Sequence, residues 1–192
     1  MTALRLGGIV VYPTETLYGL GADATNDHAL RKLVVLKGRE EGKPISVLVS
    51  DHSMLRSVVA HVSPAAQRLM DRFWPGPLTL ALPAKAEVSP LLTGGGKTVG
   101  VRCSSHPLAA ALVAGLGRPV TTPSANPAGA APPVSLLQAR AYFGDGVDAY
   151  VDGGSLPGGV GSTVVDLDGE ARIIREGAIP AAEITAALSG QS

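Results

Sequence analysis

Two separated groups of polar side chains carry the chemistry legible in this chain. Lys37, Arg39 and Lys43 place three cations within seven residues, and Thr122-Pro123-Ser124-Ala125-Asn126 gathers hydroxyl and amide groups. An arginine offers a planar fork to phosphate oxygens, and a lysine a compact point charge. Fixed cations in one segment and small neutral donors in another are what a nucleoside triphosphate needs. Helix C-termini favour cations without any function, so each cation alone is ordinary. Three together, followed by the apolar run Ile45-Ser46-Val47-Leu48-Val49, are less easily explained as solvated charge. A third segment, Tyr12-Pro13-Thr14-Glu15-Thr16-Leu17-Tyr18-Gly19-Leu20-Gly21, leaves a strand through a proline and is expected to be irregular, with two hydroxyls and a carboxylate at its tip. Loops at strand ends are where α/β sheets place ligands.

The familiar nucleotide motifs are incomplete. Gly94-Gly95-Gly96-Lys97-Thr98 ends like a phosphate loop, but the glycine required five residues before Gly96 is Leu91, and the segment that follows reads as strand. Gly19-Leu20-Gly21-Ala22-Asp23-Ala24 lacks the strand directly before it that a dinucleotide turn requires. His28, His52, His61 and His106 show no ligand spacing, so no protein-held metal is expected. A lone cysteine, Cys103, forms no internal disulfide and is expected to act as a small core residue. Met54, Met70 and Trp74 are expected to pack against the body of the domain.

The chain has 192 residues, 45% of them hydrophobic, with mean hydropathy +0.24, enough for one domain with a substantial core. It contains no long uncharged apolar run and no signal-like N-terminus, so a cytoplasmic protein with no membrane span is expected. Net charge is zero, yet residues 1–118 hold 13 Lys/Arg against 8 Asp/Glu and residues 119–192 hold 3 against 8. A basic half attracts phosphate or RNA, although an overall balance is unlike the usual nucleic-acid footprint.

Several elements must position these residues. Apolar runs predict strands at 8–12, 45–49, 78–82, 99–102, 119–121, 148–151, 162–167 and 171–175. Helices are predicted from a Thr25 or Asn26 cap to Leu36, from Asp51 to Ala60, from Ser63-Pro64 to Phe73, over 107–115, over 135–143 and from Pro180. Interleaved strands and helices argue an α/β fold around one central sheet. The late strands follow one another without helices, so the sheet is expected to be mixed. Residues 126–134 and 153–161 read as loops.

The chain resembles the YrdC/Sua5 family of threonylcarbamoyl-adenylate synthases. The resemblance rests on Tyr12-Pro13-Thr14-Glu15-Thr16, Lys37-x-Arg39, Trp74-Pro75-Gly76-Pro77-Leu78-Thr79, Val99-Gly100-Val101-Arg102, Pro123-Ser124-Ala125-Asn126, Gly161-Ser162-Thr163-Val164-Val165-Asp166 and Arg175-Glu176-Gly177, in family order. It implies an α/β single domain, a twisted mixed sheet with helices of the YrdC-like (RibB-like) type around a concave basic cavity. That domain would span residues 1–192, with its core over about 4–180 and no C-terminal domain of the longer Sua5 form.

The implied reaction joins L-threonine, bicarbonate or CO2, and ATP into threonylcarbamoyl-AMP and pyrophosphate. A downstream transferase complex would then modify adenosine at position 37 of tRNAs reading codons that begin with A. Lys37 and Arg39 would be catalytic; with Lys43, Thr98, Ser124, Asn126 and Arg175 they would bind ATP. Thr16, Arg102, Thr122 and Ser162 would hold L-threonine, Arg102 pairing with its carboxylate. Mg2+ would arrive with ATP rather than on fixed protein ligands, and tRNA or double-stranded RNA is a further expected partner. Glu15 is a candidate base or a structural carboxylate. Longer members carry a histidine near threonine where this chain has Leu48. The alternatives are an RNA-binding module of the same fold, disfavoured by two Phe and one Trp, and a carbamoyl-adenylating domain.

Overall fold

The computed structural model describes residues 1–40 and 42–190. A short helix α1 (Thr2–Arg5) leads into β1 (Val10–Pro13), which turns back as β2 (Tyr18–Gly21). Then come α2 (Asp27–Lys37), β3 (Val47–Leu48), α3 (His52–Val58), α4 (Pro64–Phe73), β4 (Leu78–Pro83), α5 (Pro90–Thr93) and β5 (Thr98–Arg102). The chain finishes with α6 (Pro107–Leu116), β6 (Val120–Thr121), α7 (Leu136–Phe143), a 3-10 turn at Gly144–Gly146, β7 (Ala149–Tyr150), β8 (Thr163–Asp166), β9 (Arg172–Arg175) and α8 (Ala181–Ser189).

The helices begin and end where local chemistry directs. Asn26 Oδ1 accepts from the N–H groups of His28 and Ala29, satisfying two orphan donors of α2, and Gly38 closes it at φ +58°, which costs a glycine nothing. Ser63 caps α4 through Ala66 N–H, with Pro64 at the first helical position. α2 buries Ala29, Leu30, Leu33 and, at its last turn, Lys37.

Mixed pairing is present, but the strands form two sheets rather than one. The smaller has the order β2-β1-β7 and the larger β6-β3-β5-β4-β8-β9. Within the larger, β3/β5 and β4/β8 are parallel, whereas β3/β6, β4/β5 and β8/β9 are antiparallel. The segment expected to be irregular after Pro13 contains β2, registered so that Pro13 faces Tyr18 and Val10 faces Gly21. Gly21 is required there: a Cβ would fall 2.9 Å from the Tyr12 ring and from Val10 Cγ2.

The main apolar cluster runs through Leu20, Leu33, Val47, Leu69, Leu80, Val101 and Val165. A second, with Val10, Tyr12, Leu48, Leu112, Val113 and Val120, seats α6. Gly19 bridges to Ser124, and Asp23 to Val120, tying the smaller sheet to the edge of the larger. The strand ends that converge along this seam carry the site.

Candidate functional site

A cavity of about 350 Å³ opens along the seam. The turn between β1 and β2 lends it Thr14, Thr16 and Leu17. The end of α2 and the stretch beyond lend Lys37, Arg39, Pro44 and Ser46. Thr79 comes from β4, Arg102 from the last position of β5, Thr122, Pro123 and Ser124 from the turn after β6, Ser162 from just before β8 and Arg175 from the end of β9. The lining thus holds four cationic side chains and, among the described residues, no carboxylate.

At the α2 end, Lys37 is 5% exposed, and its Nζ donates to the carbonyls of Ser124 (2.6 Å) and Asn126 (2.7 Å). Lys37 O in turn accepts from Ala128 N at 2.9 Å, so the helix end and the Ser124 segment are stapled twice. Burial, and then the neighbouring Arg39, lower the pKa of this amine from 10.5 to about 8. Arg39 Nε donates to Lys43 O at 3.2 Å and its Nη2 to Pro44 O, which holds the guanidinium at the cavity edge. Carbonyls orient these two cations without cancelling their formal charge.

At the β5 end, Arg102 is 4% exposed. Its Nη2 lies 2.8 Å from Glu15 Oε1, its Nε donates to Gly76 O (3.2 Å), and Nη1 and Nη2 both donate to Thr16 Oγ1 (3.3 Å). Ser162 Oγ and Thr79 Oγ1 share a hydrogen bond of 2.8 Å, and Arg175 Nη2 donates to Ser162 O at 2.8 Å. Thr122 Oγ1 is buried at the cavity wall without a hydrogen-bond partner among the described residues, so a ligand polar atom there would satisfy it.

The structure brings Lys37, Arg39, Ser124, Arg175, Thr16, Arg102, Thr122 and Ser162 to one cavity. It does not bring Lys43, Thr98 or Asn126 to its lining. Lys43 is exposed and pairs with Glu40 at 2.8 Å. Thr98 opens β5, at the opposite end of that strand from Arg102. Asn126 is buried behind the cavity. Its Nδ2 donates to Pro127 O (2.9 Å) and Ala130 O (2.8 Å), and its Oδ1 has no partner among the described residues. Leu48, the position of the family histidine, is wholly buried in the second apolar cluster and lines no part of the cavity. Cys103 is half-buried beside Trp74 and His52 rather than in the core.

Sequence reading gave no role to the lining groups Ser46 and Thr79. Each is a lone hydroxyl in or beside an apolar strand. A polar residue at a buried strand position is the one signal they carry. Among the described residues no group of three His, Cys, Asp or Glu side chains is placed to hold a metal ion, and no helix is long and apolar enough to cross a membrane.

The chain's relatives share both its sequence and its fold. Threonylcarbamoyl-AMP synthase of Pyrococcus abyssi is 37% identical over 94% of this chain, which spans 54% of that relative's length. Threonylcarbamoyl-AMP synthase of Thiobacillus denitrificans is 43% identical over 85% of this chain and 87% of its own. The chain therefore spans about half of the archaeal relative and most of the bacterial one. The crystal structure of P. abyssi Sua5 complexed with L-threonine superposes with a TM-score of 0.94 at 36% identity, over 97% of this chain and 55% of that one. A family model for Sua5/YciO/YrdC, described as telomere recombination, matches residues 2–177. On that match over nearly its whole length, the chain belongs to the Sua5/YciO/YrdC family.

Proposed function

We propose that this chain is an L-threonylcarbamoyladenylate synthase. It joins L-threonine, bicarbonate or CO2, and ATP into threonylcarbamoyl-AMP and pyrophosphate, and supplies the threonylcarbamoyl group for N6-threonylcarbamoyladenosine at position 37 of tRNA. The observation that carries this reading is the two-ended cavity. At one end no described carboxylate cancels the charge of Lys37 and Arg39, and at the other Arg102 is already paired with Glu15, with Arg175 held nearby on Ser162 O.

ATP carries several negative charges, and the end formed by Lys37 and Arg39 suits its phosphates, with Ser124 as a neutral donor and Arg175, held on Ser162 O, as a further cation for the adenylate. Threonine is a zwitterion with no net charge. Arg102 takes its carboxylate, while Thr16, Thr122 and Ser162 stand around the remaining polar atoms. The threonine ammonium proton passes to bicarbonate, which gives CO2 and water. The amine captures that CO2 as a carbamate, the second amine proton leaves to solvent, and a carbamate oxygen attacks the α-phosphorus as pyrophosphate leaves. Such a step needs alignment and charge neutralisation more than a covalent nucleophile. The cations at the α2 end meet the negative charge that gathers on the departing pyrophosphate. A hydroxyl- and cation-lined wall offers no carboxylate cage for a divalent ion, so Mg2+ would be held by phosphate oxygens, where it would add further charge neutralisation.

The test is pyrophosphate release from ATP with Mg2+ and bicarbonate, with and without L-threonine, in the wild type and in Arg39→Ala. Threonine-dependent release that Arg39→Ala reduces at least about 100-fold is expected. Release independent of threonine would favour a carbamoyl-adenylating reaction. Its complete absence, with salt-sensitive RNA binding in its place, would favour an RNA-binding module.

A further inference from the structure

We propose that Glu15 is the positioning residue for Arg102, holding its guanidinium in the one orientation that receives the substrate carboxylate, and that Glu15 is not the base of the reaction. This inference rests on the synthase reading above. Glu15 stands behind Arg102 and does not line the cavity. Its two oxygens are taken by three donors: Arg102 Nη2 at 2.8 Å, the backbone N–H of Ser105 at 3.3 Å, and the hydroxyl of Ser104. A general base must reach the proton that it removes, and these oxygens are engaged by Arg102, Ser104 and Ser105 outside the cavity lining.

A relay of hydroxyls fixes the other side of the same guanidinium. Thr14 Oγ1 donates its only proton to Leu17 O at 2.7 Å. The 3.1 Å contact between Thr14 Oγ1 and Thr16 Oγ1 must then be donated by Thr16. The lone pairs of Thr16 are left to accept from Arg102, and Gly76 O takes the Nε proton. With Glu15 on one side and Thr16 on the other, Arg102 has little rotational freedom. The unengaged part of its fork is aimed along a fixed direction.

The charge state agrees with this geometry. Burial alone would raise the pKa of Glu15, but the Arg102 charge and the hydrogen bonds from Ser104 and Arg102 outweigh it and hold the carboxyl below the usual carboxylate range. A group so held remains an anion at neutral pH. A catalytic base is instead most effective with its pKa near the working pH. The Glu15–Arg102 pair also has no net charge, which matches a zwitterionic amino acid better than a bare cation does. Partners that orient metal ligands change affinity by about 10- to 100-fold when removed, and an effect of the same order is expected for a partner that orients Arg102.

The experiment is steady-state pyrophosphate release by wild type, Glu15→Gln and Glu15→Ala, with KM for L-threonine and for ATP measured separately from pH 5 to 9. A thermal melt of each variant and a crystal structure of Glu15→Gln with L-threonine accompany it. The expected result is a threonine KM raised about 10-fold in Glu15→Gln and about 100-fold in Glu15→Ala. The ATP KM should stay within about twofold, the acid limb of kcat should be retained, and Arg102 should be turned in the crystal. Loss of the acid limb with kcat reduced about 100-fold at unchanged KM would make Glu15 a base and overturn the proposal. A Glu15→Gln variant with wild-type kinetics, or one whose two KM values rise together, would also overturn it. A wild type without threonine dependence would instead overturn the synthase reading, and this inference with it. If Glu15→Ala does not fold, the near-isosteric Glu15→Gln decides.

Discussion

At the α2 end of the cavity, Lys37 and Arg39 are held by backbone carbonyls; at the β5 end, Arg102 is held by a carboxylate. Both arrangements fix a cation in place, but they leave different fields behind. Carbonyl dipoles orient the charge and keep it available, so the α2 end can neutralise a polyanion. A carboxylate cancels the charge and keeps only the shape and direction of the donors, so the β5 end can select a ligand by geometry. One seam between two sheets can thereby hold a polyanion and a zwitterion side by side.

Removing the cation from each end should separate the two. Arg102→Ala is expected to have the largest effect, because it removes the carboxylate receptor and strands Glu15. The threonine kcat/KM should fall about 1,000-fold, and unfolding stability should drop by about 3 kcal/mol, the low end for breaking a buried pair because Glu15 keeps 16% of its side chain exposed. Equal stability of wild type and variant in urea would show that the pair contributes orientation without stability. Arg39→Ala comes next, with the ATP KM raised or kcat lowered about 100-fold while the threonine KM stays within a few-fold.

A pH titration sharpens the same contrast. Lys37 loses its proton as pH rises through about 8, so the ATP KM should climb between pH 7 and 9, and Lys37→Arg should flatten that climb because arginine stays charged. Glu15, held below its usual range, stays ionised throughout this window. Stability moves the other way. The folded state releases the Lys37 proton near 8 and the unfolded chain near 10.5, so between these values the unfolded state binds more protons and stability rises with pH. A denaturation series across that window, in wild type against Lys37→Met, checks the sign. Lys43→Ala should have the smallest effect, under about threefold on the ATP KM, since this exposed amine pairs with Glu40 outside the cavity. A larger change would extend the α2 end beyond the lining described above.

Local chemistry made most helices legible, since Asn26, Asp51, Ser63 and Ser135 each cap a helix close to where its pattern begins. β2 escaped because Thr14, Thr16, Gly19 and Gly21 give no alternation. Its pairing needs the Tyr12 ring over Gly21, which is a tertiary fact. The division into two sheets was equally hidden, because β7 pairs with β1 from the far side of the chain, Ala149 opposite Val10. The site's residues came from family order rather than spacing, and that order is silent on direction. Thr98 and Arg102 share one short strand, yet only Arg102 reaches the cavity. Asn126 sits in the matched segment but turns its amide toward Ala130.

The most direct measurement is the pair of KM values, for ATP and for L-threonine, in Arg39→Ala and Arg102→Ala assayed side by side for pyrophosphate release. The expected result is a crossed pattern in which Arg39→Ala weakens ATP alone and Arg102→Ala weakens threonine alone. Equal weakening of both substrates in both variants, or release that ignores threonine in the wild type, would contradict a cavity with two chemically distinct ends.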